Sequence, residues 1–95
     1  MNAVLVLIAK FRLGRIVATP KAMEVLSNED IVTAIGRHQS GDWGDLSDAD
    51  REENELSLKE GFRLLSAYHA TDGTKFWIIT EANRSVTTLL LPEDY

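Results

Sequence analysis

The chain has 95 residues, which is room for one domain. Its hydrophobic share of 44% and charged share of 26% are those of a globular protein and exclude wholesale disorder. It has no cysteine, which excludes a disulfide framework, a cysteine-ligated zinc or iron–sulfur centre and a thiol nucleophile, and lets the fold work in a reducing compartment. The net charge of −5 is unevenly spread. Lys10, Arg12, Arg15 and Lys21 face only Glu24 in the first quarter, whereas residues 27–60 set ten acids against Arg37, Arg51 and Lys59. The middle of the chain is therefore a local acidic field, which disfavours bulk attraction to nucleic acid.

The apolar run Ala3-Val4-Leu5-Val6-Leu7-Ile8-Ala9 is far shorter than the ~20 residues that span a bilayer. Basic residues follow it rather than precede it, the reverse of a signal peptide. It reads as a hydrophobic arm or extra strand within residues 1–12 of a cytoplasmic protein with no membrane association. Residues 13–95 read as a single α+β domain. An apolar strand edge in the arm would favour a homodimer.

Leu13 to Ala18 reads as a short strand. Thr19 then suits an N-cap and Pro20 the first helical position, where its missing N–H would be unpaired anyway. A short helix to about Leu26 follows. Ser27 and Asp30 restart a helix with capping-box-like spacing, and Ile31, Ala34, Ile35 and His38 share one face of it. Gly41 and Gly44 break that helix. A third helix, Asp48 to Glu60, has a Ser47 cap and a Gly61 stop. Its apolar residues are few (Ala49, Leu56 and Leu58), so it is expected on the surface, held to the core by its C-terminal end.

From Phe62 the period changes. Residues 62–69, 75–80 and 85–91 are rich in β-branched and aromatic residues. Asp72-Gly73 carries a hairpin signal, and Glu81 to Arg84 is a second tight connection. The expected fold is α+β: a short N-terminal strand, two to three central helices, and a C-terminal three-stranded antiparallel meander with helices packed on one face.

Three groups of side chains have chemistry to offer. His38 could act as a general base and Trp43 could stack a ligand. Equally, the imidazole could pack at a helix C-terminus, where the dipole favours it, while Trp43 fills the core. The acids Asp48, Asp50, Glu52 and Glu53 form either a solvated helix face or a binding surface for a basic partner. They do not form a calcium loop: a register starting at Asp48 puts Glu53 where glycine is needed. Thr80, Arg84 and Thr87 lie around the last turn, with Ser66 and Tyr68 on a neighbouring strand. Such a set could hold a phosphate or carboxylate. With His38 or Glu81 for the proton transfers and Arg84 as the cation, it is also the kit for metal-independent RNA cleavage. The bland reading is that these are ordinary strand residues and a solvated arginine. No phosphate loop, dinucleotide fingerprint or serine-nucleophile motif occurs. His38 and His69 alone make no zinc site, and no cofactor is expected.

The stretches Gly14 to Pro20, Arg37-His38 through Gly41-Asp42-Trp43-Gly44, Leu64 to Tyr68, Trp77 to Glu81, Arg84 to Thr88 and Leu91 to Tyr95 resemble a widespread family of small bacterial proteins. Its members are called plasmid-related or hypothetical, and sometimes type I restriction subunit M. The resemblance covers residues 13–95 and brings no activity with it. A methyltransferase needs a cofactor-binding sheet that 95 residues do not hold. In layout, helices followed by an antiparallel sheet look like the barnase/RelE-like RNA-cleaving domains. Two readings stand: a non-enzymatic interaction module of mobile elements that engages a protein partner, and an RNA-cleaving domain using His38, Thr80, Arg84 and Thr87. Only the second makes RNA a partner.

Overall fold

Residues 9–95 are described by the computed structural model. In chain order they form β1 (Arg15–Ala18), α1 (Pro20–Val25), α2 (Asn28–Gln39), α3 (Asp48–Glu60), β2 (Leu64–His69), β3 (Lys75–Thr80), β4 (Val86–Leu90) and a closing 3-10 turn (Pro92–Asp94). The apolar run at residues 3–8, and with it the expectation of an extra strand and a homodimer edge, lies outside the described residues. Among the described residues no helix is long and apolar enough to cross a membrane.

The helix starts follow the sequence signals. The hydroxyls of Thr19, Ser27 and Ser47 each accept from the backbone N–H three residues on, at 3.3, 3.1 and 3.2 Å. Each bond satisfies one donor that the first turn leaves open, a gain of about 1 kcal/mol. Gly61 ends α3 in the left-handed conformation, φ 79°.

The fold is α+β, and β2, β3 and β4 form the expected antiparallel meander. The sheet is larger than expected, however. β1 joins it parallel to β4, so the order is β1-β4-β3-β2 and the sheet is mixed. The hairpins were legible because tight turns join sequence neighbours. The β1–β4 pairing closes a crossover that takes in all three helices, and no local pattern encodes it.

One sheet face carries Tyr68, Phe76, Ile78 and Leu89, and these pack with Leu91 against Ala22 and Leu26 from the α1 region and Ala34 of α2. Alanines at the contact let both helices approach the sheet closely. Their burial removes apolar surface from water at roughly 25 cal/mol per Å², the main stabilising term.

α3 lies on the surface, as its few apolar residues led one to expect, but they are not what attaches it. Leu56 is 49% exposed, and the helix buries Asn54 and Ser57 instead. Asn54 sits beside the edge strand β2. Its amide donates to the Leu65 carbonyl at 2.5 Å and accepts from the Leu65 N–H at 3.1 Å, as a neighbouring strand would. Farther along the same edge, Ala67 N–H donates to Trp43 O at 3.1 Å and Asp45 N–H to Ala67 O at 2.8 Å. The edge is thus closed by a side chain and a loop, which blocks strand pairing with another chain there.

Gly44 makes the loop's approach possible. At φ 75°, a Cβ here would lie 2.0 Å from the Ala67 carbonyl oxygen and 2.7 Å from the Tyr68 ring. Gly61 has a similar φ, 79°, but open space around it. Chemical denaturation should therefore separate the two substitutions. Gly61→Ala is expected to cost about 1–2 kcal/mol from backbone strain alone, and Gly44→Ala clearly more, because backbone must shift.

Candidate functional site

His38 lies in the last turn of α2 and points onto the sheet, where the register gathers three hydroxyls. Thr80 and Thr87 are direct partners across β3 and β4, and Ser66 stands on the same face of β2. His38 Nδ1 is 2.5 Å from Ser66 Oγ, and Nε2 is 2.9 Å from Thr80 Oγ1. Thr80 Oγ1 is 2.8 Å from Thr87 Oγ1, which donates to the Leu13 carbonyl at 2.7 Å.

Donor counting fixes the protons. The Leu13 carbonyl only accepts, so the Thr87 proton points at it. The proton between the threonines then belongs to Thr80. Thr80 must accept from His38 Nε2–H, and Nδ1 accepts the Ser66 proton. The opposite tautomer would leave the 2.8 Å Thr80–Thr87 contact without a hydrogen. The chain therefore runs one way, from Ser66 through His38, Thr80 and Thr87 to Leu13, and requires a neutral imidazole. His38, Ser66, Thr80 and Thr87 are all 0% exposed. Burial, with a smaller repulsion from Arg84, lowers the His38 pKa from its ordinary 6.5 to about 4.

Aromatic rings close the cluster from outside. Phe11 meets the His38 ring edge-on at 5.1 Å and stacks on Trp43 at 6.2 Å, and Trp43 meets His38 at 5.8 Å. Trp43 is 5% exposed, with its indole N–H on Glu55 at 2.7 Å. Arg84 lies on the far side of Phe11, its guanidinium carbon 5.8 Å from the ring centroid. Arg84 has a left-handed backbone, φ 60°, in the β3–β4 turn. Its guanidinium donates to the carbonyls of Phe62 at 2.6 Å, Ser57 at 3.1 Å, and Glu81 and Ala82 at 3.2 Å. It ties the end of α3 to the turn, a use that a planar five-donor head suits. Of the four residues read as a catalytic kit, His38, Thr80 and Thr87 are therefore brought together on a closed interior rather than a cleft, while Arg84 is half-buried beyond Phe11 and bonds to none of them.

The residues read as a binding set divide. Asp48, Asp50, Glu52 and Glu53 are exposed on α3. Ser66, Tyr68 and Trp43 are buried. The Tyr68 hydroxyl donates to the Asp42 carbonyl at 2.5 Å, and burial pushes its pKa up to about 12. Arg37 lies over the Tyr68 ring and grips the Asp42 carboxylate at 2.7 and 3.2 Å. That pairing holds Asp42 below, and Arg37 above, its ordinary pKa. Among the described residues no group of His, Asp and Glu is placed to hold a metal. A surface cavity of about 620 Å³ is lined by Asn28, Glu29, Asp30, Val32, Thr33 and Thr71, away from this cluster.

Phe11, Leu13, Gln39 and Asn54 were not singled out from sequence. Asn54 and Ser57 left a faint signal, two polar residues three apart on a helix with little apolar stripe. Leu13 left none, because it contributes a backbone carbonyl.

Thr80→Val keeps the shape but removes both the acceptor for His38 and the donor to Thr87. Urea unfolding at neutral pH should show a loss of about 1–3 kcal/mol, the cost of an unpaired buried donor. A loss below the error of the measurement would show that the chain adds nothing to stability. No protein-family model matches the chain, and no curated protein or solved structure matches it either.

Proposed function

We propose that this protein is a non-enzymatic interaction module, of the kind carried on mobile elements, which presents the acidic face of α3 to a basic protein partner. The reading rests on how the polar groups are divided. His38, Ser66, Thr80 and Thr87 are buried and bonded to one another, Arg84 is engaged by backbone carbonyls, and no buried side-chain N or O among the described residues lacks a partner. Asp48, Asp50, Glu52 and Glu53 stand in solvent with no ion-pair partner among the described residues. Uncompensated charge of one sign on a rigid helix steers a partner of the opposite sign and speeds encounter at low salt. The helix is rigid where the acids sit because Asn54 and Ser57 hold it to the domain. A cytoplasmic setting belongs to the same reading and rests on the missing cysteines.

Metal-independent RNA cleavage is the second reading. It is favoured by the meeting of His38, Thr80 and Thr87 near Arg84. It is weaker on this geometry, because a phosphate would have to displace Phe11 to reach the imidazole, and every acceptor and donor it would use is already engaged.

The test compares the native chain with Glu52→Lys/Glu53→Lys, which spares the first turn where Asp48 and Asp50 favour the helix dipole. Immobilised native protein is expected to retain a basic bacterial protein at low salt, and the variant to lose it at least tenfold. Equal retention by the two would refute the acidic-face reading. RNA incubated with the native chain in EDTA is expected to stay intact. Cleavage that disappears in both His38→Ala and Arg84→Ala would establish the second reading instead.

A further inference from the structure

Residues 10–13 form a short strap across the buried imidazole. Lys10 N–H donates to Gln39 O at 2.9 Å, and the Gln39 side chain donates back to Phe11 O at 3.2 Å. Phe11 covers the His38 ring, and the Leu13 carbonyl ends the hydrogen-bond chain. Lys10 and Arg12 are exposed, the Lys10 side chain lying along Gly41. Among the described residues, three hydrogen bonds and two half-buried side chains thus hold the strap, against a sheet held by full ladders on β3 and β4.

We propose that this strap is an acid-released latch: protonation of His38 lifts residues 10–13 off the domain while the sheet beneath stays folded.

The geometry makes the neutral ring a condition of closure. A proton on Nδ1 turns that nitrogen into a donor facing Ser66 Oγ, and the Ser66 proton has to leave the ring for the Tyr68 hydroxyl. No carboxylate compensates the new charge. The charged groups on the surrounding elements are otherwise committed. Arg37 pairs with Asp42, Glu55 holds the Trp43 indole, and Glu81 pairs with Arg63. Tyr68 on β2 is neutral, held so by burial. Arg84 carries the same sign as an imidazolium, and Lys10 and Arg12 on the strap add more positive charge. The C-terminal end of α2 favours a positive ring but does not replace its hydration; water does, and lifting the strap, whose Phe11 covers the ring, admits it.

The sign follows from linkage. The closed state holds His38 at about 4, against 6.5 for a solvated imidazole. Closure is therefore fully favoured above pH 6.5 and weakens as pH falls towards 4, because the open state binds the proton more tightly in that window. Between pH 7 and 4 the opening constant should rise roughly a hundredfold.

Amide hydrogen exchange by NMR on the intact chain tests this. Protection factors are taken for Lys10, whose N–H bond to Gln39 breaks on release, and for Ile78 in the middle of β3. The expected result is a roughly hundredfold loss at Lys10 between pH 7 and 4, with Ile78 protected throughout. In His38→Gln the pH dependence at Lys10 should vanish. Retention of the loss in that variant, parallel loss at both amides, or constant protection at Lys10 would each overturn the proposal. Phe11→Ala provides a measurement independent of His38→Gln folding. It should raise the His38 titration midpoint from about 4 towards 6.5, and an unchanged midpoint would also overturn the latch.

Discussion

A dry imidazole is tolerated in a protein interior only if both nitrogens are bonded and the ring stays neutral. Around His38 that requirement links α2, β2, β3, β4 and the strap at residues 10–13 through one directional chain of hydrogen bonds. The hydrophobic core of Ala22, Ala34, Phe76, Ile78 and Leu89 supplies most of the driving force and favours one register. The polar chain adds to that choice, since a shift of β4 by one residue would turn Thr87 as well as the core residue Leu89 to the other face and leave Thr80 and Leu13 unbonded. Apolar burial and polar satisfaction lie side by side on one sheet face, the first over the middle of the sheet and the second at the end of α2.

The outer edge of β2 is managed by a different device. Asn54 imitates a strand for Leu65, and the Trp43–Asp45 loop does so for Ala67. This explains why α3 has so little apolar surface: it is fastened by backbone recognition rather than by hydrophobic burial. A helix held in that way keeps its remaining faces in water, which is how a short domain can place a row of carboxylates on a rigid support. Arg84 completes the attachment by binding the Ser57 carbonyl at the far end of the helix. The arginine that looked like a phosphate ligand is spent on holding the scaffold together.

These two devices sort the polar residues by role. The neutral ones around His38 are turned inward and mutually bonded, and the acids from Asp48 to Glu53 on α3 are left outward. An interaction surface needs the second property, whereas acid–base chemistry would need some of the first group within reach of a substrate. The strap marks the boundary between them, since its ring is what separates the imidazole from solvent.

Much of the architecture was legible because it is local. Thr19, Ser27 and Ser47 start helices through bonds three residues long, Gly61 stops one by its permitted φ, and Asp72-Gly73 turns a hairpin between neighbours. The inward face of α2 was legible from Ile31, Ala34, Ile35 and His38 at helical spacing, and the company of His38, Thr80 and Thr87 from their common element ends. What composition and spacing left open was the state of that company: the same residues serve a solvated cleft or a closed interior. Phe11 decides between them from far away in the chain, and Leu13 contributes a carbonyl that no side-chain pattern can signal. The parallel docking of β1 on β4, the edge pairing by Asn54 and the carbonyl clamp of Arg84 belong to the same class. Short-range rules determined the elements and their inward faces, because those depend on backbone preference and periodicity. Contacts between distant backbone groups, which carry no residue-type signature, were decided only when the chain was folded.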